Sequence, residues 1–165
     1  MKHEDEKVAL QAVEFWSTVC DEEMEIILEA QEARYTGQPC RPSFNFASTA
    51  VNELVPVLLW LLTKKEEDED EDEWNVSMAA ATCLSLLAQC VQDSIVSPII
   101  PFVEGNIRNA DWKYREAAVM AFGSILEGPS PTLLEQLVAQ VRVLLMEILM
   151  RSEEQKISIY SNQST

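Results

Sequence analysis

Eight acidic residues stand in a row, Glu66-Glu67-Asp68-Glu69-Asp70-Glu71-Asp72-Glu73, and the run closes on an aromatic, Trp74. An unpaired carboxylate is expensive to desolvate, so a run this dense stays in water. One apolar stretch precedes it, Leu54 to Leu62, and another follows, Val76 to Val91. The run therefore reads as a solvated connection between two packed helices. Such a connection is either a solubilising spacer or a docking loop for a basic partner. Clustered carboxylates offer charge-assisted hydrogen bonds to basic side chains. A single exposed pair contributes little, but many together give fast, steered, salt-sensitive association. Calcium is a poor fit, because the run lacks the glycine-punctuated spacing of a calcium loop.

Little else in the chain points to chemistry. The only histidine is His3, no glycine-rich loop is placed to cradle phosphate, and no nucleophile–base arrangement is visible. The expectation is that the protein is not an enzyme and uses no cofactor or metal. Four cysteines occur, Cys20, Cys40, Cys83 and Cys90, with no CxxC among them. Cys83 and Cys90 lie two turns apart on one helical pattern, too far for a disulfide. Free thiols used in packing fit a reducing compartment, cytosol or nucleus. The charged opening Met1-Lys2-His3-Glu4-Asp5-Glu6 has no apolar core of a signal peptide, and no apolar run reads as long enough to span a membrane.

Charge sharpens the choice of partner. The 165 residues carry a formal net charge of −16, distributed unevenly. Residues 1–35 hold ten acidic and three basic side chains, and residues 36–65 hold one acidic and three basic. The acidic run itself contributes −8, and residues 74–165 hold nine acidic and six basic side chains. Most of the negative field thus comes from the first helical segment and the acidic run. It repels nucleic acid and anionic membranes and attracts basic proteins or peptides.

The elements that position these groups are helical. Glycine is rare, with four residues, and apolar side chains recur at helical spacing, which makes the chain all-α. Val8, Ala12, Phe15, Trp16 and Val19 mark one stripe of a helix from Glu4 to Val19. A second, acidic helix is expected from Asp21 to Tyr35, with Met24, Ile27, Leu28 and Gln31 along one side and Gly37 and Pro39 as its stop. Helix resumes from Phe46 to Thr63, bent or restarted at Pro56. Trp74 or Asn75 opens a helix to about Gln92, with Val76, Ala79, Ala80, Cys83, Leu84, Leu87 and Cys90 buried. Ser94 to Ile107 forms a helix with two prolines. Asp111 caps a helix from Trp112 to Leu126 that stops at Gly128-Pro129, and Thr132 to Met150 forms the last. Residues 151–165 are polar and aperiodic.

These helices repeat. Trp74 placed on Trp112 brings Ala79-Ala80 onto Ala117-Ala118, Leu84 onto Phe122 and Leu87 onto Ile125, a shift of 38 residues. Lys7 placed on Lys113 brings Ala12-Val13 onto Ala118-Val119 and Trp16 onto Phe122. Pro56 and Pro101 align with a shift of 45, seven more than 38, so the acidic run is an insertion in one helix–helix connection. Two helices per period of roughly 40 residues, the first bearing proline, mark a HEAT/armadillo array. Asp111, Tyr114, Arg115 and Ala118 match the second-helix pattern of a HEAT unit. The expected organisation is a right-handed α-solenoid of antiparallel helix pairs over residues 1–150. A partial repeat (4–37) is followed by full repeats (46–92, with its acidic loop at 64–73, and 94–127), a partial repeat (130–150) and a tail (151–165). Neither end reads as a polar cap, as expected of a piece of a longer superhelix.

Three stretches in order, Glu14-Phe15-Trp16-Ser17-Thr18-Val19-Cys20-Asp21-Glu22-Glu23, the acidic run with Trp74-Asn75, and Asp111 through Pro129, closely resemble importin-β (karyopherin-β) nuclear import receptors. The resemblance covers about Lys2 to Met150 and corresponds to the seventh to tenth repeats of the family. It implies a concave face of second helices that binds the basic importin-β-binding segment of importin-α, or basic cargo signals, and Ran in its GTP form. It also implies slots for Phe-Gly nucleoporins on the convex face, and location in cytoplasm, nucleus and nuclear pore. Carried over by motif, Glu66 to Glu73 would be the acidic loop on the inner surface. Trp74 would stack beside it on an Arg or Lys stem, and Glu14 and Asp21 would add carboxylates. Residues 151–165 depart from the family pattern, and Val143 stands where a helix proline is common. Trp16, Trp60 and Trp112 read as packing residues. Two other readings of the same residues are a HEAT scaffold of a multisubunit complex and an acidic chaperone for basic proteins.

Overall fold

Asp5 in extended conformation accepts a hydrogen bond from the Lys7 N–H at 2.9 Å, and this cap opens α1 over Glu6–Thr36. Gly37, at φ 68°, closes it, its N–H bonded to the Ala33 carbonyl. The computed structural model describes residues 1–3, 5–64, 74–142 and 146. They fall into two units, Met1–Pro129 and the part from Ser130 onward. Among the described residues there is no strand. The first unit continues with α2 (Phe46–Leu62), α3 (Val76–Val91), a short 3₁₀ turn (Gln92–Ile95), α4 (Val96–Asn106) and α5 (Trp112–Ser124). In the second unit a helix, α6, covers 131–142, with Leu137 and Val141 buried one turn apart.

One expected break is missing. The two helices read before and after Cys20 are a single helix of 31 residues. Asp21, Glu22 and Glu23 look like a helix start in sequence, yet they lie in the interior of α1. The charge on Glu22 is met from outside the helix. Arg41, in the connection after α1, lies within 4 Å of Glu22, Glu25 and Glu29, with its Nη2 2.7 Å from Glu29 Oε1. The guanidinium holds the Glu29 carboxyl below the usual carboxylate range. That contribution is present at neutral pH and is lost as the pH falls through the lowered value. All these groups are largely exposed, so they position the connection more than they stabilise it.

The expected stripe on α1 is also rotated. Ala9, Val13 and Cys20 are buried, whereas Val8 is 46% and Phe15 61% exposed. The buried face is the one of small side chains, which lets α1 approach α3 closely. The register of Lys7 on Lys113 fails for the same reason, since Val13 is fully buried while Val119 is 51% exposed. The other register is followed closely: Ala79, Ala80, Cys83 and Leu87 are buried on α3, and Ala117, Ala118 and Ala121 on α5 with Ile125 at its C-cap.

Hydrogen bonds fix how the helices stack. The Ser77 hydroxyl at the start of α3 donates to the Leu62 carbonyl at the end of α2, so α2 and α3 form an antiparallel pair. The Val76 N–H donates to Glu6 Oε1, and Cys90 Sγ to the Cys20 carbonyl, both 70 residues apart. Two contacts at the same offset, one near each end of α3, make α1 and α3 parallel and in register. Helices α1, α3 and α5 adjoin in one layer, and α2 and α4 in the other. Leu58, Leu61, Leu84 and Leu87 are fully buried between them, or nearly so. Each such side chain contributes about 1.5–3 kcal/mol.

The prolines are accommodated on the wet side. Helix α2 runs through Pro56 unbroken, because the ring is exposed and the carbonyl it leaves unpaired, on exposed Asn52, can turn to water. Asp111 caps α5 as expected, accepting from the Lys113 N–H at 3.0 Å. Asp111→Ala should lower stability by about 1 kcal/mol in urea unfolding, with the slope unchanged.

The reading that no stretch is long and apolar enough to cross a membrane needs correction. Val76–Asn106 is, by length and composition. In the fold this stretch is α3, the 3₁₀ turn and α4, broken at Gln92, whose φ is 51°. Its apolar side chains face α1, α2 and α5, so the hydropathy is that of a core helix pair.

Candidate docking site

The acidic residues Glu66, Glu67, Asp68, Glu69, Asp70, Glu71, Asp72 and Glu73 lie outside the described residues. Both anchors of the connection are defined, Lys64 after α2 and Trp74 before α3. The start of α3 is clamped from three sides. Asn75 caps it, accepting from the Met78 N–H at 2.9 Å; Glu6 of α1 accepts from Val76; Ser77 reaches the end of α2. Trp74 therefore precedes the cap rather than opening the helix, and is 51% exposed. A half-exposed indole on a fixed backbone is a surface for stacking a cationic stem.

Glu14 and Asp21 both sit on α1, Glu14 half-buried and Asp21 exposed. The parallel register sets their distance from Trp74. Glu6 touches the first turn of α3, so Glu14 lies roughly 12 Å and Asp21 roughly 22 Å further along the helix pair, at about 1.5 Å per residue. The fold thus strings these groups along the α1–α3 pair and does not bring them into one cluster. Among the described residues no ion pair engages Glu14 or Asp21, whereas Glu22, Glu25 and Glu29 are held by Arg41.

Several residues acquire a role that sequence reading missed. Trp60, read as packing, is 37% exposed at the end of α2, with Lys64 Nζ 4.4 Å and Lys2 Nζ 5.5 Å from its ring centroid. Trp112, also read as packing, is 37% exposed, with Lys113 Nζ 5.8 Å from its centroid. Trp16 packs edge-on against Phe15. Glu23 is buried and accepts from the Phe46 and Ala47 N–H groups at 2.6 and 3.0 Å. It caps α2 from across the layer, in place of Asn45, whose side chain makes no cap bond. The only hint in sequence is an acidic residue at a position where helix periodicity asks for an apolar one. Among the described residues no group of His, Cys, Asp and Glu is arranged to hold a metal ion.

Two layers of helices, α1, α3 and α5 against α2 and α4, stacked as antiparallel pairs, define a HEAT-repeat segment. The chain is 56% identical over 150 residues to importin subunit beta-1 of Schizosaccharomyces pombe, covering 90% of the chain and 17% of the relative. It superimposes on a crystal structure of importin-β with a TM-score of 0.84 at 50% identity, covering 90% of the chain and 18% of that protein. Similar scores relate it to Kap95p, whose binding induces the switch loops of RanGDP to adopt the GTP-bound conformation (TM-score 0.77, 47% identity), and to the Kap95:Nup1 complex (0.77, 48%). Each covers 85% of the chain and 16% of that protein. No family model matches the chain. The chain belongs to the importin-β (karyopherin-β) family and spans about a sixth of the length of these relatives.

Proposed function

We propose that the chain is a basic-partner docking segment of a nuclear import receptor. On this reading it binds the importin-β-binding segment of importin-α, or basic cargo signals, and Ran in its GTP form. Phe-Gly nucleoporins are its further partners, and it works in cytoplasm, nucleus and nuclear pore. It acts by binding and release, with no bond chemistry of its own. Its repeats are taken as 46–92 and 94–127, flanked by partial repeats 4–37 and 130–150.

The observation that carries the reading is the fixed frame around the acidic run. An acidic spacer needs no rigid mounting, but here Trp74 is held two residues from a start of α3 that is bonded to both α1 and α2. A run of eight carboxylates anchored at such a frame offers charge-assisted bonds to a basic segment at small orientational cost. Glu14 and Asp21 extend the field along α1. Two basic partners sharing one acidic surface displace each other, which is a release switch.

Replacing Glu66–Glu73 with a Ser/Gly run of equal length is expected to weaken binding of a fluorescent importin-β-binding peptide at least about tenfold, and to flatten its salt dependence. Titrations at two ionic strengths measure both. Unchanged affinity would reduce the run to a spacer. Equal affinity for an unrelated polybasic peptide would favour a general acidic chaperone.

A further inference from the structure

We propose that Cys20 and Cys90 are a redox-responsive dithiol, which peroxide converts into a disulfide that staples α1 to α3. Seventy residues separate the two cysteines in sequence, the same offset that joins Glu6 to Val76, so the helix register places them opposite each other. Cys90 Sγ stands 3.2 Å from the Cys20 carbonyl oxygen, so the Cys90 thiol lies against Cys20 itself.

The pair is asymmetric in the way such chemistry needs. Cys90 is partly exposed and Cys20 fully buried. The Cys20 thiol, bonded to the Cys90 sulfur, lowers the Cys90 pKa, against burial and the Glu23 and Asp21 carboxylates, which push it up. The same bond, with burial, raises Cys20. Cys90 is therefore the thiolate that meets an oxidant and Cys20 the partner that resolves it. Cys83, the other fully buried thiol of the helix pair, is engaged elsewhere. Burial pushes it up to about 11, against a hydrogen bond with Ser17, one turn before Cys20 on α1.

The oxidant is a hydroperoxide, hydrogen peroxide in its simplest form. The Cys90 thiolate attacks one peroxide oxygen; the O–O bond breaks, an S–O bond forms, and the second oxygen leaves as water after taking a proton. The Cys90 sulfenic acid has lost two electrons to the peroxide. Cys20 sulfur then attacks Cys90 sulfur; the S–O bond breaks and the hydroxyl leaves as water with the Cys20 proton. The product ties together, near the end of α3, two helices that the Glu6–Val76 bond joins at its start. A dithiol reductant reverses it.

The test uses the 165-residue chain with Cys40→Ser, which removes the exposed thiol and its intermolecular disulfides. After a few equivalents of hydrogen peroxide, intact mass should fall by about 2 Da, the loss of two hydrogens on forming one disulfide. Peptide mapping should recover Cys20 linked to Cys90 with Cys83 free, and dithiothreitol should restore the thiols. In the additional Cys20→Ser variant, Cys90 should instead be trapped as a dimedone adduct. Recovery of Cys20 and Cys90 as free thiols, a link involving Cys83, or a Cys90 sulfenic acid that persists with Cys20 present would each overturn the proposal. The mapping in the Cys40→Ser chain decides this even if the Cys20 variant fails to fold.

Discussion

Gly128→Ala is expected to destabilise the Met1–Pro129 unit by about 3 kcal/mol, near the top of the range for overpacking. A methyl group built there would overlap the Ala88 carbonyl oxygen and carbonyl carbon. Both atoms belong to the backbone of α3, the middle helix of its layer, and cannot rotate away as a side-chain end would. The segment after α5 must then move off α3, which uncovers Ala88 and Leu87. Gly123→Ala is the matched control. Nothing lies within 4 Å of the added methyl, and the residue is inside α5, so the change should be neutral or gain up to about 1 kcal/mol. Urea unfolding of both variants measures the difference. Equal midpoints would show that the contact at Gly128 yields without cost.

Glu23→Ala should be nearly as damaging, at about 3 kcal/mol. The carboxylate is 6% exposed and accepts two backbone N–H groups, at 2.6 and 3.0 Å. Bonds to a charged acceptor contribute about 1.5–3 kcal/mol each, and removing the acceptor leaves the buried Ala47 N–H unmatched. Asn45 cannot take over, since it sits at φ 53° with its side chain off the helix end. Glu23→Gln keeps one acceptor oxygen but turns an NH₂ toward an N–H, so a smaller loss, about 1–2 kcal/mol, is expected. Amide exchange supplies the local readout. Phe46 and Ala47 should lose protection in both variants before the amides of α3 do. Unchanged protection at these two residues would remove Glu23 from the cap.

Both positions were invisible in the sequence for one reason. Gly128 reads as the stop of a helix, next to Pro129, and Glu23 as one more carboxylate in an acidic stretch. Local pattern says what a residue does to its own segment, not what arrives from 23 or 40 residues away. Helix α3 was legible because it is covered by α1, α2 and α5, so its stripe is wide and its side chains announce it. Helix α1 was not. A face of Ala9, Val13 and Cys20 carries less hydropathy than the neighbouring Val8, Phe15 and Val19, and the pattern was assigned to the larger side chains. The Asp21–Glu23 stretch reads as a new start, while in the fold Arg41 meets Glu22 from a separate connection and Glu23 caps α2. The carboxylates of the candidate site were read from type and motif alone, and their spacing along the α1–α3 pair was not.

By itself the sequence determined that the chain is helical, that helix pairs repeat with an acidic insertion before Trp74, and that the field favours basic partners. These follow from periodicity, local caps such as Asp111 and net charge, all properties of neighbouring residues. Tertiary structure alone decided the register of α1 on α3, which side of α1 is buried, and where Trp74 stands relative to Glu14 and Asp21. Those depend on which surfaces meet across 70 residues of chain, through the Glu6–Val76 and Cys20–Cys90 contacts. The acidic run is a property of the sequence, whereas the fixed frame at Trp74 is a property of the packing of three helices.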